Sequence, residues 1–241
     1  MSKRAQRMDF HVHSFFSDGA LLPSELISRA VAMEHRALAI TDHADSSNLE
    51  QLAEMLLRFV EVQGDDWPLR IVAGVELTHV LPRRIGSLAE HAKELGLSLV
   101  VVHGETIVEP VVSGTNEAAV ECPHVDVLAH PGFITLRDAK QAKQNGVHLE
   151  ITSRHGHCLT NGHVAWVARQ TEARLLLNTD SHSPAELIDQ AFARRVAAGA
   201  GLTQMEVEMA TVTNPSALLA RIMQRAAGNL SSLSPLPSEG A

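Results

Sequence analysis

The stretch Met8-Asp9-Phe10-His11-Val12-His13 alternates apolar and polar residues without a break. In a strand, side chains two apart point to the same side, so Asp9, His11 and His13 share one face and Met8, Phe10 and Val12 the other. Two imidazoles on one face can aim at one point, as two ligands of a single metal ion do. The segment then runs into Ser17-Asp18-Gly19, whose composition is that of a loop.

Outward from this stretch, six more segments read as strands, at 37–41, 70–77, 98–103, 125–129, 147–152 and 174–178. Runs such as Leu99-Val100-Val101-Val102 and Leu175-Leu176-Leu177 are apolar on both faces, which suits a buried parallel sheet. Amphipathic helix candidates fill the gaps at 23–34, 48–62, 85–95, 136–144 and 163–170. Thr135 stands as the N-cap of the fourth, with Asp138 in its first turn, and Gly96 and Gly146 follow two helices where a left-handed cap favours glycine. Strand–helix alternation predicts an α/β fold, and seven units point to a barrel, with an open sheet as the alternative. Beyond the last strand the pattern turns helical. Asn214-Pro215 reads as an N-cap and first helical residue before a helix over 216–226. Residues 1–227 are expected to form one barrel domain with C-terminal helices. The Ser-, Pro- and Gly-rich segment 228–241 is expected to be a flexible tail.

Bulk composition narrows the partners. The chain has 241 residues, 45% of them hydrophobic, enough for a full core. Its formal charge of −8 weighs against a broad nucleic-acid-binding face, although a local basic pocket is compatible with it. Cys122 and Cys158 form no CxxC motif, so no disulfide framework is expected and a reducing compartment is the simpler reading. The basic N-terminal segment lacks the apolar region of a signal peptide, and no apolar run approaches the roughly 20 residues of a membrane span. A cytoplasmic protein with no membrane partner is expected.

Ligand-type residues fall at the strand ends. They are His11 and His13, Asp42 and His43, Glu76, His103, His130, Glu150, and Asp180 with His182. In a barrel all strand C-termini open on one face, so these residues would converge. One histidine at a strand end is ordinarily a polar edge residue. A ring of imidazoles and carboxylates buried without a cation would be costly. Imidazole with carboxylate, and no thiolate, suits zinc, manganese or iron, and the donors are too many for one four-coordinate ion, so two or three divalent ions are expected. Paired ions activate water and stabilise a displaced oxygen, as phosphoryl chemistry requires.

At these residues the sequence resembles the PHP family of polymerases and histidinol phosphatases. The matching motifs are Asp-Phe-His-Val-His with Ser-Asp-Gly, Thr-Asp-His at 41–43, Gly-Val-Glu at 74–76, Val-His-Gly-Glu at 102–105, Ala-His-Pro-Gly at 129–132 and Asn-Thr-Asp-Ser-His at 178–182. They span about three-quarters of the chain in the family's order. The resemblance implies a distorted seven-stranded (β/α)7 TIM-like barrel and a phosphoesterase with a trinuclear metal centre. His11, His13, Glu76 and Asp180 would hold one ion. Glu76 would bridge to a second, held by His103 and His130. Asp18, His43 and His182 would hold the third, with Asp18 standing where some members use histidine. A hydroxide bridging the ions would attack phosphorus, which makes Asp18, Glu76 and His182 catalytic candidates as well as ligands. The segment Leu149–His157 resembles the stretch that supplies a phosphate-binding arginine, so Arg154 and His157 are the candidate substrate-binding residues; a guanidinium fork matches phosphate oxygens.

Around this set, His155 and His163 are weaker substrate candidates, and Asp42 reads either as a support for the ligands or as a turn residue. Glu105 reads as a loop carboxylate, and His79 is peripheral. His35, His91, His124 and His148 have ordinary structural settings. The leading expectation is a phosphomonoesterase acting on a small phosphorylated metabolite, with histidinol phosphate suggested by family analogy alone. The competing readings are a phosphodiesterase or exonuclease on nucleotides or nucleic-acid ends, an amidohydrolase, and a non-catalytic metal-binding scaffold. The amidohydrolase reading is weakened because the middle strand ends offer no lysine.

Overall fold

The computed structural model describes residues 7–232. Seven strands lie parallel in the order β1 (Arg7–Val12), β2 (His35–Ile40), β4 (Arg70–Leu77), β5 (Leu99–His103), β6 (Val127–Ala129), β7 (His148–Thr152) and β8 (Leu175–Asn178). Each expected strand is present to within two residues. A two-residue strand, β3 (His43–Ala44), is additional and pairs with β4, placing His43 opposite Glu76. The helices between them are α1 (Pro23–Ala32), α2 (Leu49–Gln63), α3 (Pro82–Glu94), α4 (Thr115–Glu121), α5 (Leu136–Asn145) and α6 (Asn161–Thr171). After β8 come α7 (Gln190–Gly199), α8 (Gln204–Glu208) and α9 (Asn214–Ser232). The alternation thus closes into a nearly complete barrel.

The seam between β8 and β1 is closed by two devices. Away from the mouth side chains substitute for a ladder between β1 and the end of β8: Asn178 Oδ1 accepts from Phe10 N, Asp9 Oδ1 accepts from Thr179 N, and Arg7 donates to Leu177 O. At the other end the backbones meet, Asp180 N donating to His11 O and His13 N to Ser181 O, each at 2.9 Å. Arg7 and Asp9 are fully buried and paired at 2.9 Å, which compensates for their charges.

The core has two layers. Leu26, Ile27, Leu38, Ile40, Leu52, Leu56, Ile85 and their neighbours pack helices onto the barrel's outside. Inside, Phe10, Val72, Leu99, Val101 and Leu176 form a second cluster that Leu218, Leu219 and Ile222 of α9 join. Burying one such side chain contributes about 1.5–3 kcal/mol. Helix α9 lies across the strand starts, where buried Asp126 accepts from Lys93, Arg221 and Arg225. Breaking a buried charge cluster by removing one partner costs about 3–5 kcal/mol. The polar C-terminal mouth is left as the open end.

Thr135 caps α5, its side chain accepting from Asp138 N, and Gly146 takes the left-handed cap at φ 71°. One expectation at the C-terminal end is corrected. Asn214 is no N-cap: α8 runs through a π-helical turn, Met209–Thr213, directly into α9, and Asn214 Nδ2 instead donates to Leu175 O. The backbone also stays helical past Gly228 to Ser232; the remainder of the expected tail, 233–241, lies outside the described residues. The seven-residue α4 lies between β5 and β6, where no helix is expected from the sequence, and α7 and α8 make up part of the helical pattern beyond the last strand. Among the described residues no helix is long and apolar enough to cross a membrane.

Candidate metal centre

The C-terminal ends of the strands bring all nine expected ligand residues to one face. Odd positions of β1 point there, so His11 and His13 enter the same space as Glu76 of β4, and Asp180 follows β8 into it. His11 Nε2 is 3.3 Å from Glu76 Oε1 and 3.6 Å from Asp180 Oδ1; His13 Nε2 is 3.1 Å from Asp180 Oδ1 and 3.6 Å from Glu76 Oε2. His130 Nε2 lies 3.7 Å from Glu76 Oε1 and 3.6 Å from Asp180 Oδ2. Glu76, His103 and His130 form a second converging group. Asp18, His43 and His182 form a third, with His13 also in reach of it. There the three mutual separations are 3.2 Å for Asp18–His182, 3.4 Å for His43–His182 and 3.5 Å for Asp18–His43. Donors bonded tetrahedrally to zinc at 2.0–2.1 Å are about 3.4 Å apart, so these spacings are those of ligands around a common ion.

Unpaired buried atoms test the fit. His11 Nε2, both ring nitrogens of His13, Glu76 Oε1, His103 Nδ1 and His130 Nδ1 are buried without a hydrogen-bond partner. Such a concentration of orphaned donors and acceptors is expensive unless a cation satisfies it. Imidazoles and carboxylates without thiolate fit divalent zinc, manganese or iron.

The electrostatics divide the donors: against burial, the carboxylates around His11, His43 and His103 raise those rings, so a cation binding there displaces protons, while two rings are already neutral. Burial, helped by His43, holds the His13 imidazole well below its usual range, and burial with His103 does the same to His130, so both rings are neutral as ligands must be. Glu76 is fully buried, which would raise its carboxyl, but His11 and His43 outweigh that and keep it ionised. Against burial, Glu76 and Asp18 raise His43 to about 10.

Supporting residues orient the donors. Glu150 Oε2 sits 2.9 Å from His11 Nδ1 and also accepts from Asn178 Nδ2 at 2.9 Å, fixing the His11 ring so that Nε2 faces the centre. Asp42 accepts from Ser14 N, Ser14 Oγ and Ser17 Oγ, fastening the loop that carries Asp18. Gly19 makes that loop's turn: a Cβ there would stand 2.4 Å from His13 O. His130 and Asp180 take positive φ, 26° and 52°, uncommon for residues with a Cβ and characteristic of over-determined sites.

The cleft above these groups has a volume of about 570 Å³. Arg154 lines it, with one guanidinium nitrogen 2.6 Å from Glu186 Oε1, while Glu186 Oε2 accepts from His182 N and Ser183 N. His157 also lines it; its ring is tilted against that of His130 with centroids 4.2 Å apart, and Nδ1 is held by Thr106 Oγ1 at 2.8 Å. His155 and His163 do not line the cleft, and His163 is bound to Ile134 O. Glu105 caps the start of α4, accepting from Gly114 N and Asn116 N. Glu150, expected among the converging strand-end donors, stands behind His11 as its support. One contributor was not legible in the sequence. Glu109, in a loop with no periodicity, approaches His103 Nε2 at 3.0 Å, and this hydrogen bond pulls its carboxyl down to about 2.

A barrel whose strand ends carry these donors is the architecture of a PHP domain, and residues 9–104 match that family. The chain is 50% identical over 217 residues to an uncharacterized protein of Methanocaldococcus jannaschii, covering 90% of this chain and 100% of that one. It belongs to the PHP family. It is also 24% identical over 214 residues to the DNA polymerase/3'-5' exonuclease PolX of Bacillus subtilis, and 28% identical over 151 residues to ribonuclease P protein component 3 of Methanosarcina mazei. These matches cover 81% and 61% of this chain but only 37% and 56% of the two relatives. A chain of archaeal ribonuclease P with mature tRNA superposes with a TM-score of 0.63 at 13% identity, covering 98% of this chain and 96% of that one. Histidinol phosphate phosphatase of Lactococcus lactis, complexed with zinc, L-histidinol and phosphate, gives 0.58 at 16% identity, covering 82% and 95%. At these identities the structural likeness is one of fold.

Proposed function

We propose that the protein is a metal-dependent phosphoesterase that hydrolyses phosphomonoesters of a small metabolite. The observation that carries this reading is Glu76, whose two oxygens face His11 and His130 on one side and His13 and His43 on the other, so that one buried carboxylate joins all three donor groups. In this reading His11, His13, Glu76 and Asp180 hold one ion, Glu76, His103 and His130 a second, and Asp18, His43 and His182 a third. Zinc, manganese or iron held by these residues would supply Lewis acidity toward water and toward the phosphoryl oxygens.

The chain's own side chains do the rest. Arg154 binds phosphate oxygens through the guanidinium N–H groups that Glu186 leaves free, and the Glu186 contacts to His182 N and Ser183 N keep that arginine in register with the centre. His157, held by Thr106, faces the same cleft, and burial lowers its imidazole, so in this reading it meets the substrate as a neutral hydrogen-bonding ring. The cleft volume lies within the usual 300–1,000 Å³ of small-molecule sites.

A phosphodiesterase or exonuclease is the second reading. It is favoured by the groove that continues past Asp45 and His79 to the exposed Arg83 and Arg84, and by the nuclease names among the relatives. Histidinol phosphate stays one candidate substrate among the monoesters. Hydrolysis of p-nitrophenyl phosphate against bis(p-nitrophenyl) phosphate by zinc- or manganese-loaded protein decides between them. At least tenfold preference for the monoester is expected; the reverse preference overturns the leading reading. Full ion occupancy with no turnover of either ester would favour a metal-binding scaffold.

A further inference from the structure

We propose that His79, His103 and Glu109 form an additional divalent-cation site at the mouth of the cleft, sharing His103 with the second donor group. Glu109 Oε2 lies 3.0 Å from His103 Nε2 and 3.5 Å from His79 Nε2, while Oε1 lies 3.4 Å from His157 Nε2. One carboxylate is therefore faced by three imidazoles. The first two separations straddle the roughly 3.4 Å expected between donors sharing a four-coordinate ion. Two imidazoles and a carboxylate are a donor set for zinc or a similar borderline ion, and three protein donors leave a coordination position open to water or to an anionic substrate group.

The surrounding structure is built to present these donors. Glu109 sits in the loop between β5 and α4, and that loop is tied at its ends. Glu105 Oε1 accepts from Gly114 N and Asn116 N, and Asn116 donates to Pro131 O. Gly132 packs so closely beneath the loop that a Cβ there would stand 1.9 Å from Glu105 O. His79 has a positive φ of 54°, uncommon for a residue with a Cβ, which fixes the direction in which its side chain leaves the backbone. His103 also belongs to the group with Glu76 and His130, and its Nδ1 is buried without a partner; holding both cations at once requires the ring to bridge them as an imidazolate, its remaining N–H proton released to solvent.

Zinc binding tests the inference directly. Metal-free protein is titrated with zinc in competition with a chromophoric chelator, comparing wild type with the double variant His79→Asn, Glu109→Gln. Both side chains are partly exposed, and asparagine tolerates the left-handed backbone at position 79, so the metal-free variant should unfold at the wild-type temperature. The expected result is one zinc equivalent fewer in the double variant, with the tighter equivalents unchanged. Equal stoichiometry and affinity would overturn the inference, as would a variant in which every zinc equivalent weakens together. Because the readout is binding, a protein that takes up zinc but hydrolyses no phosphoester would sink the phosphoesterase reading and leave this site standing.

Discussion

The His11 ring is clamped between two carboxylates, with Nδ1 2.9 Å from Glu150 Oε2 and Nε2 3.3 Å from Glu76 Oε1. All three side chains are fully buried. The carboxylate behind the ring fixes which nitrogen faces the centre, because a neutral imidazole that donates through Nδ1 can only accept, or ligate, through Nε2.

Glu150→Gln therefore weakens zinc binding by about 10–100-fold, the usual cost of losing such a supporting carboxylate. The number of ions bound at saturation stays the same. Chelator competition measures the affinity, and a wild-type value would show that Glu150 serves only the packing of β7.

Asp18 offers a different kind of loss. It comes from the loop after β1, is more than half exposed, and meets His182 and His43 at 3.2 and 3.5 Å. Asp18→Ala should remove one ion and leave the deeper two, with little change in thermal stability. Elemental analysis of the purified variant counts them; unchanged metal content removes Asp18 from the ligand set.

Arg154→Ala should raise KM for phosphomonoesters about tenfold or more while metal content stays intact, since a hydrogen bond to a charged group is worth about 1.5–3 kcal/mol. Steady-state kinetics alongside elemental analysis makes the check. Wild-type KM in the variant would reassign Arg154 to its ion pair with Glu186.

His148 predicts a pH dependence of stability. Burial, with Arg221 nearby, depresses its imidazole from 6.5 to about 4. The folded protein keeps the ring neutral while the unfolded chain protonates it below 6.5. The stabilisation is therefore complete above pH 6.5 and is lost as pH falls from 6.5 towards 4, by up to about 3 kcal/mol. Denaturant unfolding at pH 7, 5.5 and 4.5 should show wild type losing more stability than His148→Leu over that interval. Parallel curves for the two proteins would contradict the assignment.

Much of the fold was legible because its signals are local. Leu99–Val102 is apolar on both faces, so it reads as a buried parallel strand wherever it sits, and Thr135 with Gly146 brackets α5 by cap chemistry that involves only neighbouring residues. Asn214-Pro215 misled for the same reason. The dipeptide has the composition of a helix start, but packing of Asn214 against Leu175 O carries the chain through a π-helical turn without a break.

The alternation in residues 8–13 and the repeated placement of histidine, aspartate and glutamate at strand ends settled on their own that the chain is a strand–helix protein and that these side chains converge, because strand parity depends on sequence spacing alone; Asp18, in a loop, and the sorting of the nine ligands into ions came from the family resemblance. Barrel closure decided the rest. It set His43 opposite Glu76 on a strand of two residues, put Glu150 behind His11 from 139 positions away, and swung the loop bearing Glu109 over His103. Those relations depend on register and on the path of loops, and no pattern confined to one segment encodes how far apart two segments come to lie.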